Sequence, residues 1–158
     1  GPLGRPDAHA ADRTIAALAD LQVAALGVGT AQGALDKALT HVRKREQFGS
    51  PLGAFQMVQG KIAEMVTLTE AARSLCYRAA SKLDTGTPDP ALSSMAKWYC
   101  AEVAVKVADE AIQLHGGYGI LEEYDVAHYW RDAKVLEIFE GSKEIEKVII
   151  GRKLIGNP

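Results

Sequence analysis

A chain of 158 residues with 47% hydrophobic side chains is long enough to bury one core of its own. With 20 acidic groups against 18 basic ones the formal net charge is -2, and no basic excess draws the chain to nucleic acid or to an anionic membrane surface. No uninterrupted apolar run reaches the roughly 18 residues of a membrane span. The two cysteines, Cys76 and Cys100, are too few for a disulfide framework and lack metal-ligand spacing. They read as small core residues of a protein kept in a reducing, cytoplasmic setting.

Gly1-Pro2-Leu3-Gly4 reads as the remnant of a cleaved purification tag. Residues 5–158 then form one helical domain, and the absence of an initiator methionine before Arg5-Pro6-Asp7 marks them as a piece of a longer protein. From about Asp12 to Phe48, Leu21, Ala25, Val28, Leu35, Leu39 and Val42 recur every three or four residues and predict a long helix. Phe48-Gly49-Ser50-Pro51-Leu52-Gly53 ends it. A second helix is expected from about Phe55 to Leu83, closed by Asp84-Thr85-Gly86-Thr87-Pro88. The third has Asp89 as N-cap and Pro90 at the first helical position, and runs to about His115. Its apolar residues occupy more than one side, so it is buried either centrally or at a subunit interface. After His115-Gly116-Gly117-Tyr118-Gly119, a short helix is expected near Asp125 to Asp132 and a last one from about Ser142 to Leu154. The fold class is all-α, an antiparallel four-helix bundle.

Several motifs carry two readings. Gly27-Val28-Gly29-Thr30-Ala31-Gln32-Gly33 has the look of a dinucleotide fingerprint, but both flanks are one helical pattern where that mechanism needs a strand first. The glycines read better as places where neighbouring helices approach. His9, His41, His115 and His128 lack paired ligand spacing, so no metal site is expected and surface or capping roles suit them. Arg43-Lys44-Arg45 is either a solvated cationic helix end or an anion site, since an arginine fork fits phosphate. His115-Gly116-Gly117 is either a C-cap or bare backbone that a cofactor approaches. Glu140 is either an ordinary acid near the positive end of a helix capped by Ser142, or a partly desolvated carboxylate with raised base strength.

The strings REQFGSPLGAFQ (Arg45 to Gln56), AIQLHGGYGI (Ala111 to Ile120), YWRDAKV (Tyr129 to Val135) and IFEGSKEIEKVIIGRKLIG (Ile138 to Gly156) resemble the C-terminal helical domain of the acyl-CoA dehydrogenases. The likeness runs in order over nearly everything after Thr14. It implies a flavoenzyme of fatty-acid metabolism, of which only the last of three domains is present. By this resemblance Arg45 and Gln56 contact the FAD of a neighbouring subunit, and Gln113, Leu114, His115, Gly116 and Gly117 line the adenine and diphosphate end of that same FAD. Glu140 is the implied catalytic base, and Ser142, Lys143 and Glu144 touch the FAD of their own subunit. The implied reaction removes the α proton of an acyl thioester to Glu140 while the β hydrogen leaves as hydride to flavin N5.

The resemblance also implies partners: an acyl-CoA or other acyl thioester, an acceptor like the electron-transfer flavoproteins, and further subunits in a homodimer, homotetramer or hetero-oligomer. Departures from the family pattern are visible as well. Ala17 and Asp20 stand where many members carry an Asp-x-x-Arg pair that helps bind substrate, which weakens the expectation of a straight-chain acyl-CoA. Phe139 precedes the acid where tyrosine is frequent, and Ser142-Lys143 replaces threonine and a small polar residue. Two alternatives remain. One is a bundle that only binds or oligomerises; the other is a related flavoenzyme acting on a carrier-protein-bound acyl group or a nitroalkane, the last disfavoured by a glutamate base.

Overall fold

A computed structural model describes residues 8–156, with side chains from residue 11 onward. The tetrapeptide at residues 1–4 and the side chain of His9 lie outside the described residues. Five helices follow in order: α1 (Ala8–Lys44), α2 (Gln56–Asp84), α3 (Pro90–His115), α4 (Val126–Leu136) and α5 (Lys143–Ile155).

The third helix begins as its sequence demands. Asp89 is extended and its side chain accepts from the Leu92 N–H at 3.2 Å, with Pro90 next. Gly116, at φ +62, ends it. The first helix stops short of Phe48. A two-stranded hairpin, β1 (Glu46–Gln47) and β2 (Ser50–Pro51), intervenes, and its turn residues Phe48 and Gly49 both have positive φ, at 54 and 78. That pair of conformations matches the twist of a tight hairpin and cannot continue a helix. The Arg45 carbonyl accepts from the Leu52 N–H at 2.8 Å, which folds the hairpin back onto the end of α1.

Contacts along the helices fix their directions. Asp20 lies beside Ser94 and His41 beside His115, so α1 and α3 run the same way. Cys100 Sγ donates to the Ala72 carbonyl at 3.4 Å and Lys61 pairs with Glu110, so α2 runs opposite. Lys37 pairs with Asp125, placing the start of α4 near the end of α1, while Glu146 and Lys153 of α5 pair with Lys97 of α3 and with its N-cap Asp89. Both short helices therefore descend, one after the other, and together fill the fourth position of the bundle. The break between them, residues 137–142, is where Glu140 sits.

Of the two positions open to α3, the structure takes the central one. It packs against all four other helices, with Cys100, Val103, Ala104, Val107, Ala108 and Ala111 buried. Small residues set the spacing: a side chain on Gly27 would come within 2.8 Å of the Cys100 backbone, and one on Gly33 would collide with the Tyr129 ring. Gly29 differs from that expectation, being exposed with nothing nearby, because it faces away from α3. Over Ala11–Lys44, α1 is long and apolar enough by length and composition to cross a membrane, since scattered polar residues such as Asp20 and Gln22 do not outweigh its alanines and valines. Here Ala17, Ala24, Ala31 and Ala38 of that segment are buried in the bundle. Both cysteines are free and buried, and burial pushes the Cys100 thiol up to about 12, which keeps it from acting as a nucleophile.

Candidate functional site

The residues singled out in the sequence fall into two groups. The first gathers where α1 and α3 end. His41 and His115 stack at 4.1 Å, and His115 Nδ1 donates to the Ala111 carbonyl at 2.7 Å. Tyr124 meets His115 edge-on at 6.2 Å, Tyr118 packs on Tyr124, and the Arg45 guanidinium sits 5.4 Å from the Tyr118 ring centroid. These groups border a cleft of about 740 Å³ lined by the cations Lys37, Lys44 and Arg45 and by the acids Asp36 and Glu123, with Lys37 paired to Asp125. His41 titrates below its ordinary range, because burial, His115 and Arg45 all oppose a further positive charge.

Arg45 lines this cleft and is exposed; Gln56, Gln113, Gly116 and Gly117 are exposed as well, but none of these four belongs to the cleft wall. A side chain on either Gly116 or Gly117 would meet nothing within 4 Å, so the backbone there is bare and reachable. Gly119 is different: a Cβ there would lie 2.6 Å from the Ile112 carbonyl, so this glycine serves packing. The Leu114 side chain is buried in the core, and a ligand would meet that residue through its backbone. His115 departs from the surface or capping role expected of it, since α3 carries it inward beneath His41.

The second group lies at the α4–α5 break. The Ile138 and Phe139 N–H groups donate to the Val135 carbonyl at 3.0 and 3.1 Å, and the Lys143 N–H donates to the Glu137 carbonyl at 3.1 Å, closing the loop. Between them stand two residues of left-handed φ, Glu140 at 56 and Gly141 at 110. A non-glycine residue held there costs about 1–3 kcal/mol and persists only where its surroundings enforce it. The Glu140 carboxylate is exposed within this chain, with Val135 and Ile138 exposed nearby. The partial desolvation considered for it is therefore not supplied by these helices. Ser142 is extended at the N-cap position of α5 and makes no side-chain cap bond. Instead the Glu144 carboxyl is held below its ordinary range by its own N–H and by the Ser142 hydroxyl. Lys143 faces buried Glu137 at 3.4 Å, and Lys134 pairs with the same carboxylate.

Beneath this turn is a cluster that sequence reasoning missed. Lys97, 1% exposed on the central helix, points its ammonium at Glu146 Oε1 (3.1 Å), Asp20 Oδ1 (3.5 Å) and the Glu140 backbone carbonyl. Glu146 is itself 2% exposed, and its second oxygen is buried without a hydrogen-bond partner. Ser94 Oγ donates to Asp20 Oδ2 at 3.3 Å. Burial and the neighbouring Glu146 push the Asp20 carboxyl up, against the pull of Lys97. A single charge within residues 90–101, the otherwise uncharged first half of α3, was the available signal. Eighteen residues of α3 separate Lys97 from His115, so the two groups stand about 27 Å apart along the helix.

Residues 15–155 match the family described as "Acyl-CoA dehydrogenase, C-terminal domain". The chain is 42% identical over 133 residues to the cyclohexane-1-carbonyl-CoA dehydrogenase of Geobacter metallireducens, covering 84% of this chain and 35% of that protein. It is 40% identical over 135 residues to the caffeyl-CoA reductase-Etf complex subunit CarC of Acetobacterium woodii, covering 85% of this chain and 36% of that one. The structure of butyryl-CoA dehydrogenase from Megasphaera elsdenii superposes with a TM-score of 0.86 at 41% identity, over 89% of this chain and 38% of the other. The chain thus spans about a third of the length of these relatives. With the family profile running through the Arg45 cleft and the Glu140 turn alike, the chain belongs to the acyl-CoA dehydrogenase family, as its C-terminal helical domain.

Proposed function

We propose that this chain is the C-terminal domain of an FAD-dependent acyl-CoA dehydrogenase in which Glu140 is the base that takes the α proton of an acyl thioester. The observation that carries the reading is the Glu140-Gly141 turn. It places an exposed carboxylate, flanked by apolar Val135 and Ile138, at a break midway along a rigid bundle. A thioester α hydrogen is weakly acidic, so its removal needs a base in contact and hydrogen bonds to the thioester oxygen as charge builds there. Backbone and carboxylate of one strained residue are well suited to both tasks, because they are fixed together.

The residues present fit the cofactor. Lys44 and Arg45 line the cleft and suit a diphosphate, Tyr118 and Tyr124 in the same wall suit an aromatic base, and Gly116-Gly117, next in sequence to His115 of that wall, offers bare backbone, while Gln56 and Gln113 are exposed donors. Ser142, Lys143 and Glu144 open α5 at the other group and would hold a second copy of FAD. The separation of about 27 Å along α3 supports the division of these contacts between two subunits, hence an oligomer. Bound FAD would supply the acceptor for the β hydrogen and its electron pair. The printed name of the Acetobacterium relative supports an electron-transfer flavoprotein as the next acceptor. Two buried free thiols suit a cytoplasmic setting.

The test is Glu140→Gln in the full-length protein. It keeps the size of the side chain and leaves the FAD contacts intact, so FAD and thioester should still bind. Flavin bleaching in anaerobic stopped flow should slow by at least about 10²- to 10⁴-fold. Bleaching within a few-fold of wild type would place the base elsewhere.

A further inference from the structure

We propose that Lys97 is a positioning residue for Glu140, fixing through its buried ammonium the left-handed turn from which the carboxylate projects. The inference rests on the reading of Glu140 as the base, and it concerns what holds that base in place. Two consecutive residues of positive φ do not stay in that conformation unaided. The backbone hydrogen bonds of the loop brace its ends, from Val135 to Phe139 and from Glu137 to Lys143, and leave the apex to be held from outside. Lys97 Nζ supplies that hold by donating to the Glu140 carbonyl.

The fit is specific in three respects. An ammonium has three N–H donors, and Lys97 faces three acceptors: the Glu140 carbonyl, Glu146 Oε1 and Asp20 Oδ1. The turn lies directly on the ion pair, since a Cβ on Gly141 would come within 2.6 Å of Glu146 Oε1 and 2.9 Å of Lys97 Nζ. Only glycine permits both that approach and a φ of 110. Finally, α3 is the central element of the bundle, so a donor mounted on it cannot drift with the surface. As a stabilising device the cluster is poor: a buried ion pair gains little over apolar packing, and Glu146 Oε2 has no partner. Its geometry makes sense as a brace for the turn.

The experiment compares wild type with Lys97→Met and the double variant Lys97→Met/Glu146→Leu in the full-length flavin-loaded protein. The second variant removes the carboxylate that the first would leave buried and uncompensated, and so protects folding. Three quantities are measured: the anaerobic rate of flavin bleaching, the thioester affinity, and amide hydrogen exchange over residues 137–146. Both variants should bleach about 10- to 100-fold more slowly, as a misplaced base does, with thioester affinity little changed and faster exchange across the turn. The double variant should recover melting temperature but not rate. A double variant that bleaches at the wild-type rate, or whose 137–146 segment exchanges like wild type, would reduce Lys97 to a balancing charge and overturn the proposal. Glu140→Gln run alongside separates the two ideas. If it bleaches like wild type, the base reading fails while the exchange data still report on Lys97. If it is slow and the Lys97 variants match wild type in rate and exchange, the positioning role alone fails.

Discussion

Adding one methyl group at Gly27 or at Gly29 should move stability in opposite directions. Both lie within α1, where alanine is worth about 1 kcal/mol more than glycine in helix propensity. At Gly29 a Cβ meets nothing within 4 Å, so Gly29→Ala should collect that gain, about 0.5–1 kcal/mol. At Gly27 the new carbon would lie 2.8 Å from both the carbonyl carbon and oxygen of Cys100. Those are backbone atoms of the central helix and cannot rotate aside, so α1 and α3 must part locally. Overpacking costs about 1–3 kcal/mol, a 2.8 Å approach to rigid backbone belongs to the upper part of that range at about 2–3, and after the propensity gain of about 1, Gly27→Ala should lose about 1–2 kcal/mol. For a chain of this size that corresponds to a fall of roughly 2–8 °C in melting temperature, against a rise of a few degrees for Gly29→Ala. Thermal unfolding followed by circular dichroism reads both. If Gly27→Ala melts at or above wild type, the close crossing of α1 on α3 is wrong.

Arg45→Ala in the full-length protein should weaken FAD retention by roughly 10- to 100-fold, from the loss of a charge-assisted contact worth about 1.5–3 kcal/mol, with Arg45→Lys recovering only part of it. Equilibrium dialysis of the cofactor decides, and unchanged affinity would return Arg45 to a solvated helix end. Asp20, facing Glu146, Lys97 and Ser94, has a folded carboxyl raised above 3.8, so the folded state holds its proton more tightly than the unfolded one. Its contribution to stability is therefore fully present below 3.8 and is lost as pH rises through the folded value. Asp20→Asn should remove that loss and raise the melting temperature at neutral pH; a lower one would mean that the charge on Asp20 is needed to balance Lys97.

The helices were legible because each carries its own punctuation. Asp89-Pro90 and Gly116 bound α3 in sequence as they do in space. Residues 45–51 read less well: a helical repeat extended to Phe48 passes over a hairpin whose turn depends on the left-handed conformation of a phenylalanine, which propensity disfavours. The site was legible as a set of residue types, and of those residues Arg45 and His115 meet in the wall of one cleft. Lys97, Asp20 and Glu146 were not, because their meeting depends on three helices crossing at one level. A pattern of apolar residues along one helix says nothing about which polar group on another will face it.

The three non-glycine residues of positive φ among the described residues are Phe48, Asp125 and Glu140. Each sits where a helix has just ended or is about to begin, and each borders one of the two groups described. Phe48 turns the hairpin that follows Arg45, Asp125 starts α4 and pairs with Lys37 at the rim of the cleft, and Glu140 marks the break before α5. Regular helix here buries alanines and valines, while these turns free backbone groups that other elements must satisfy. An unbroken fourth helix would tie residue 140 into the regular hydrogen-bond ladder, and its carbonyl would not need Lys97. Interrupting the column frees that carbonyl, and the buried ammonium on α3 is what satisfies it. The strain in the turn and the charge beneath it are two parts of one arrangement, which is why the otherwise uncharged first half of α3, residues 90–101, tolerates a lysine at position 97.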